Sequence, residues 1–268
     1  MSLRHDGQRV DPERPTDVVR DAGSKLVVIA HGLCLNDLQW TRAGTNRIEC
    51  VAVERGYTPI YLRYNSGRAI ANNGRAFADM LETLLGHWPC PVHELVIVGH
   101  SMGGLVARSA SHHGRLARHG WLRSLRRLVF LGTPHLGTPL ERGGHWLDRL
   151  MEMSPYVSPF TRLGKARSAG ITDLRHGSVT FDALEYVPLP DDVECYALAA
   201  TLGKRRSPLA ERLIGDGLVP LDSALGRHAD AARTLAIPQE RQWVGYEMGH
   251  LELLGRPEVY TQLREWLR

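Results

Sequence analysis

The stretch from Leu95 to Gly104, LVIVGHSMGG, puts a serine where it can act as a nucleophile. Gly99-His100-Ser101-Met102-Gly103 has the G-x-S-x-G pattern. It is entered from an unbroken apolar run (Leu95, Val96, Ile97, Val98) and left into a helical pattern that begins with Leu105 and Val106. A turn this sharp between a buried strand and a helix strains the serine backbone and lifts its Oγ clear of the sheet edge. Gly99 and Gly103 remove the Cβ atoms that would collide where strand and helix nearly touch, and Gly104 lets the helix lie closer still. G-x-S-x-G also recurs by chance in glycine-rich turns. The strand-turn-helix context is what points to Ser101 as a nucleophile.

A serine nucleophile needs a base, a group to orient that base, and N–H donors for an oxyanion. In the sheet architecture that uses such an elbow, the partners follow in chain order as Ser, then Asp or Glu, then His. His112 and His113 are too local to the helix behind the serine. His135, His145 and His176 fall in loop and insertion sequence, which leaves His228 and His250. His250, in Met248-Gly249-His250-Leu251, follows the last predicted strand and is the candidate base. Asp216, in Gly215-Asp216-Gly217, is the candidate acid, with Asp222, Asp191 and Asp192 as competitors. The expected oxyanion donors are the Met102 N–H and, from the loop His31-Gly32-Leu33, the Leu33 N–H. His31 is expected to hold that loop by a side-chain hydrogen bond.

The elements that must carry these groups alternate along the chain. Strands are predicted at Lys25 to Ala30, Thr58 to Leu62, Leu95 to Val98, Arg127 to Leu131, Glu194 to Ala199 and Gln242 to Tyr246. Between them, Phe77, Met80, Leu81, Leu84 and Leu85 form one helical stripe, and a helix capped by Asn36 or Asp37 is predicted to run through Leu38, Ile48, Val51 and Ala52. A last helix starts near Pro257. This rhythm implies an α/β fold, a mostly parallel sheet with helices on both faces. It breaks between Gly132 and about Asp192, which is too long for a plain crossover. An inserted cap or lid is expected there, at about 138–192, with Trp146, Leu150 and Met151 as candidate substrate-binding residues.

Composition sets the bounds. The 268 residues are 43% hydrophobic and 23% charged, an ordinary globular balance with ample chain for a sizeable core. Of 33 basic residues only Lys25, Lys165 and Lys204 are lysines, and the net charge is +4. The densest basic stretch, Arg115 to Arg127, fits a solvated helix face and its loop, so no nucleic-acid partner is implied. The cysteines Cys34, Cys50, Cys90 and Cys195 are scattered like reduced thiols. Residues 1–23 alternate charges, carry Pro12 and Pro15, and are expected to form a polar arm. They contain no signal-peptide core and no run is long enough to span a membrane, so a cytoplasmic location is expected. Neither a metal nor a cofactor is called for, since Glu252 is a lone carboxylate beside the histidine loop.

The segments VIAHGL, GHSMGG, LGTPHLGTP, GDGLVP and MGHLELL, in that order over about Lys25 to Arg268, resemble the α/β-hydrolase superfamily. More narrowly, they are similar to bacterial triacylglycerol lipases and GPI inositol-deacylase-like hydrolases. The resemblance implies one α/β-hydrolase domain over 24–268, compact at its start because larger members place extra strands before the HGL strand. It also implies Ser101, Asp216 and His250 as catalytic residues and Leu33 and Met102 as oxyanion donors. The expected function is a serine carboxylic-ester hydrolase, a lipase or esterase acting on lipid or other acyl esters. An acyltransferase, thioesterase or amidase would use the same residues, and a non-catalytic binding module is the remaining class.

Overall fold

The computed structural model describes residues 1–42, 44–138, 168–182, 185–204 and 215–268. Among them the main sheet has eight strands: β1 (Ser2–His5), β2 (Gln8–Val10), β3 (Lys25–Ala30), β4 (Thr58–Arg63), β5 (Glu94–His100), β6 (Leu125–Leu131), β7 (Glu194–Thr201) and β8 (Gln242–Tyr246). Their order is β8-β7-β6-β5-β3-β4-β1-β2. All neighbours from β8 to β4 run parallel, and β1 runs antiparallel to both β4 and β2. The helices are α1 (Arg47–Glu54), α2 (Ile70–Gly86), α3 (Met102–Ala117), α4 (Ala169–His176), the single turn α5 (Leu221–Ala224) and α6 (Pro257–Trp266).

The central strands are apolar at almost every position because both of their faces are covered. Along β3, Leu26, Val28 and Ala30 share a core with Phe77 and Leu81 of α2 and Leu105 of α3. Val27 and Ile29 point the other way, into a second core with Ile48 and Val51 of α1 and Leu263 of α6. At the strands' amino ends, away from Ser101, Arg127 bridges Glu94 and Glu194. The parallel register therefore carries the carboxyl ends of the six parallel strands, and whatever follows them, to one edge.

Two expectations change. Residues 1–23 do not begin as a polar arm. Leu3 and Val10 face each other across the β1–β2 hairpin, both are buried, and β1 extends the sheet beside β4. Four- and three-residue strands with one buried side chain in each are too short to show a period in sequence. The helix predicted from Asn36 is also two pieces. Asn36 caps a 3-10 turn at Asp37–Trp40, and Asn46 caps α1 separately, while Leu38 stays exposed. The segment expected to form an inserted cap lies largely outside the described residues. Its described parts are the loop to Thr138, α4, and the extended stretch that leads into β7.

The hairpin generates a direct test. Leu3→Ala empties a fully buried site and should cost about 2–4 kcal/mol of stability, read by urea unfolding. A loss below about 0.5 kcal/mol, the usual surface effect, would mean that the first strand is not packed.

Candidate active site

Strand β5 ends at His100, and the chain turns into α3 at Ser101, whose φ of 54° and ψ of −123° lie outside the regions L-residues favour. The turn is held by its surroundings. The Ser101 N–H donates to the Leu131 carbonyl of β6 at 2.8 Å. A Cβ on Gly99 would lie 2.5 Å from the Gly104 Cα, and one on Gly103 would lie 2.5 Å from the Ala30 carbonyl oxygen. No side chain fits at either position. Met102 opens α3, so its N–H has no partner within the helix.

The loop after β3 lies against this turn. His31 is buried, stacks on the Tyr64 ring at 4.3 Å, and accepts the Tyr64 N–H on Nε2 at 3.2 Å. Its Nδ1 then carries the proton and donates to the Gly32 carbonyl at 2.8 Å. The Tyr64 hydroxyl returns a bond to the His31 carbonyl at 2.8 Å. Burial pushes the His31 pKa down to about 4, so the ring is neutral near pH 7. Beyond it, the Leu35 N–H donates to the Gly32 carbonyl across a turn with Cys34 at positive φ, and the Cys34 N–H donates to the Ser66 hydroxyl. Among the described residues the Leu33 N–H has no acceptor assigned to it.

Asp216 and His250 meet at the same sheet edge. The His250 Nδ1 donates to Asp216 Oδ2 at 2.6 Å, with both side chains shut off from solvent. The other carboxylate oxygen accepts the N–H groups of Leu218 and Val219 at 3.0 and 2.7 Å, and the His250 N–H donates to the Asp216 carbonyl at 3.1 Å. His250 opens a 3-10 turn, where Glu252 accepts the Gly249 N–H at 2.7 Å. The ring of His250 lies 4.8 Å from that of His100, the residue before Ser101. His100 donates from Nε2 to the His250 carbonyl at 3.4 Å and meets the edge of Trp40 at 6.2 Å. Burial, then the neighbouring His250, hold the His100 imidazole well below its ordinary pKa. A neutral ring at 100 therefore packs beside the ring of His250.

Comparison with known proteins fits this geometry. A family model described as a PGAP1-like alpha/beta domain matches residues 66–187, which include Ser101. No curated protein sequence matches the chain significantly. Among solved structures, the mature lipase BlEst2 of Bacillus licheniformis superposes with a TM-score of 0.62 at 18% identity, covering 91% of each chain. An alpha/beta hydrolase superfamily protein from Enterococcus faecalis gives 0.54 at 14% identity over 92% of each chain. A hormone-sensitive lipase from a metagenome library gives 0.53 at 13% identity, over 92% of this chain and 77% of that one. The chain has the α/β-hydrolase fold.

Within this α/β-hydrolase fold, the structure gathers Ser101, Met102, the Leu33 loop, Asp216 and His250 at the carboxyl edge of the sheet. It is Asp216 that bonds to His250, while Asp222 sits on α5. Trp146, Leu150 and Met151 lie outside the described residues. Sequence reasoning missed Tyr64 and Trp40 as supports of the site. Both sit after elements that end at the same edge, but only three-dimensional packing shows it. The pairing of Gly249 with Glu252 was open to a reading of the spacing, since a carboxylate three residues into a turn reaches back to its first N–H.

Two tests follow from these contacts. A Cβ on Gly32 would stand 3.0 Å from His100 Nδ1 and 3.1 Å from Ser101 Cβ. If the Leu33 N–H serves as an oxyanion donor, Gly32→Ala should shift the loop on the elbow and lower kcat by about 10²–10³, with KM nearly unchanged. An unaltered kcat would separate this loop from the chemistry. The second test concerns pH. His31 titrates at about 4 when folded and near 6.5 when unfolded. Its contribution is complete above pH 6.5, where neither state binds the proton. As pH falls toward 4, the unfolded chain takes up a proton that the folded chain refuses, withdrawing up to about 3 kcal/mol. His100 and His135 act in the same direction. Urea midpoints should fall across this window in wild type and fall less steeply in His31→Gln. A flat profile down to about pH 4 would contradict the assignment.

Proposed function

We propose that this protein is a serine carboxylic-ester hydrolase that works through an acyl-enzyme, with Ser101 as nucleophile, His250 as base and Asp216 as the group that orients it. The observation that supports the reading most is the buried 2.6 Å bond from His250 Nδ1 to Asp216. That bond fixes the tautomer. With the proton on Nδ1, Nε2 is left as a lone-pair acceptor for the Ser101 hydroxyl.

The steps follow from that assignment. Ser101 Oγ attacks the ester carbonyl carbon as His250 Nε2 takes its proton. The carbonyl π electrons move onto oxygen, and the oxyanion accepts the N–H groups of Leu33 and Met102. As the C–O bond to the alcohol breaks, the imidazolium returns the proton to the leaving oxygen. Water then repeats the sequence on the acyl-enzyme and frees Ser101. Asp216 stabilises the imidazolium between these transfers without itself taking the proton. Its second oxygen, saturated by Leu218 and Val219, keeps the carboxylate aimed at the ring. The substrate class is an acyl ester, and lipid esters are the expected members, in keeping with the lipases that share the fold.

A fluorophosphonate probe should label wild type and fail to label Ser101→Ala. Asp216→Asn should keep the shape but favour the wrong tautomer, lowering kcat by about 10⁴-fold on a p-nitrophenyl ester with the melting temperature little changed. Asp222→Asn should stay within about tenfold of wild type. Labelling that survives in Ser101→Ala, or a near-wild-type Asp216→Asn, would overturn the reading.

A further inference from the structure

Behind the elbow, α3 buries a cation. Arg108 is 5% exposed, and its guanidinium stays charged at neutral pH although burial pulls its pKa down to about 10. Nη2 donates to the Val187 carbonyl at 2.7 Å, and Nη1 donates to His135 Nδ1 at 3.4 Å. Among the described residues, no carboxylate pairs with Arg108 and its Nε has no partner. A buried charge answered, among the described residues, only by a carbonyl and an imidazole is costly.

The neighbours add to the imbalance. A guanidinium only donates, so His135 Nδ1 must accept and the imidazole proton must sit on Nε2. Burial and the Arg108 charge both favour this neutral form. That Nε2–H is also buried without a partner among the described residues, and so is the Ser178 hydroxyl. Arg108, His135 and Ser178 line one cavity of about 90 Å³, together with His176, His228 and Arg233, and Glu185 is its acidic side chain. Ser101, Asp216 and His250 are not among the described residues that line it.

We propose that this cavity binds a small oxyanion, a phosphate or carboxylate group, between Arg108, His135 and Ser178. Two orphaned donors and a hydroxyl call for acceptors, and an arginine fork matches an oxyanion's paired oxygens. Water would supply acceptors, but it would leave the buried charge unanswered. A purely structural role, bracing the Val187 carbonyl and the His135 ring, uses two of the five guanidinium N–H groups and explains neither orphan. An occupant would tie α3 to the loop after β6, through His135, and to the segment after α4, through Ser178.

Calorimetric titration of the full chain with inorganic phosphate, and separately with acetate, tests this at ionic strength held constant with chloride. Saturable binding of at least one of them is expected, weakened by about tenfold or more in Arg108→Met. Ser178→Ala, a smaller change, should weaken it by about three- to tenfold. Tighter phosphate assigns a phosphoryl ligand and tighter acetate a carboxylate, and either supports the site. Crystals of wild type soaked in tungstate should show an anomalous peak beside Arg108, a result independent of how the variants fold. Absence of saturable binding, equal affinity in Arg108→Met, or a peak elsewhere overturns the proposal. Equal affinity would be the outcome if the anion sat instead among the N–H donors beside Ser101, so this test fails separately from the ester-hydrolase reading.

Discussion

Around Ser101 the molecule is packed backbone against backbone. Strand β5, helix α3 and the loop leaving β3 approach so closely that the glycines flanking the serine have no space for a side chain. That contact fixes where α3 starts and where the β3 loop must run, and it holds Ser101 in its unfavourable dihedrals. Such strain persists only where the surroundings over-determine it. Here they do, because β3, β5 and β6 are buried on both faces and cannot yield without opening two cores at once.

Electrostatics sorts the buried histidines by what each one faces. Four are buried among the described residues: His31, His100, His135 and His250. The first three face carbonyls, N–H groups, rings or a guanidinium, and burial keeps them neutral. His250 faces a carboxylate. The same residue type therefore serves as loop clamp, ring neighbour, cavity wall and candidate proton carrier, according to its partner rather than its depth.

Much of this was legible in sequence where the signal is local. The six parallel strands, the α2 stripe and the last helix show themselves through apolar runs and a 3.6-residue period, and the elbow through glycine spacing. Ser101 emerges from the elbow context, and Asp216 and His250 from chain order and their local sequence, but the hydrogen bond between the last two spans 34 positions and no spacing rule contains it. Arg108 reads in sequence as one more helical arginine. Its burial comes from Val187 and His135, which close over it from distant parts of the chain. The N-terminal hairpin was illegible for a different reason. Pairing with β4 gives those few residues their structure, and charges dominate their local pattern.

That hairpin also decides how the sheet ends. A bare β4 would present a row of unpaired N–H and C=O groups, ready to template pairing with another molecule. Instead the outermost strand is β2, only three residues long, with Gln8 and Arg9 turned to solvent. A short, charged, antiparallel rim offers a passing chain little to pair with. A molecule in which the hairpin detaches would keep most of its core yet leave the six-residue β4 with unpaired N–H and C=O groups along one side.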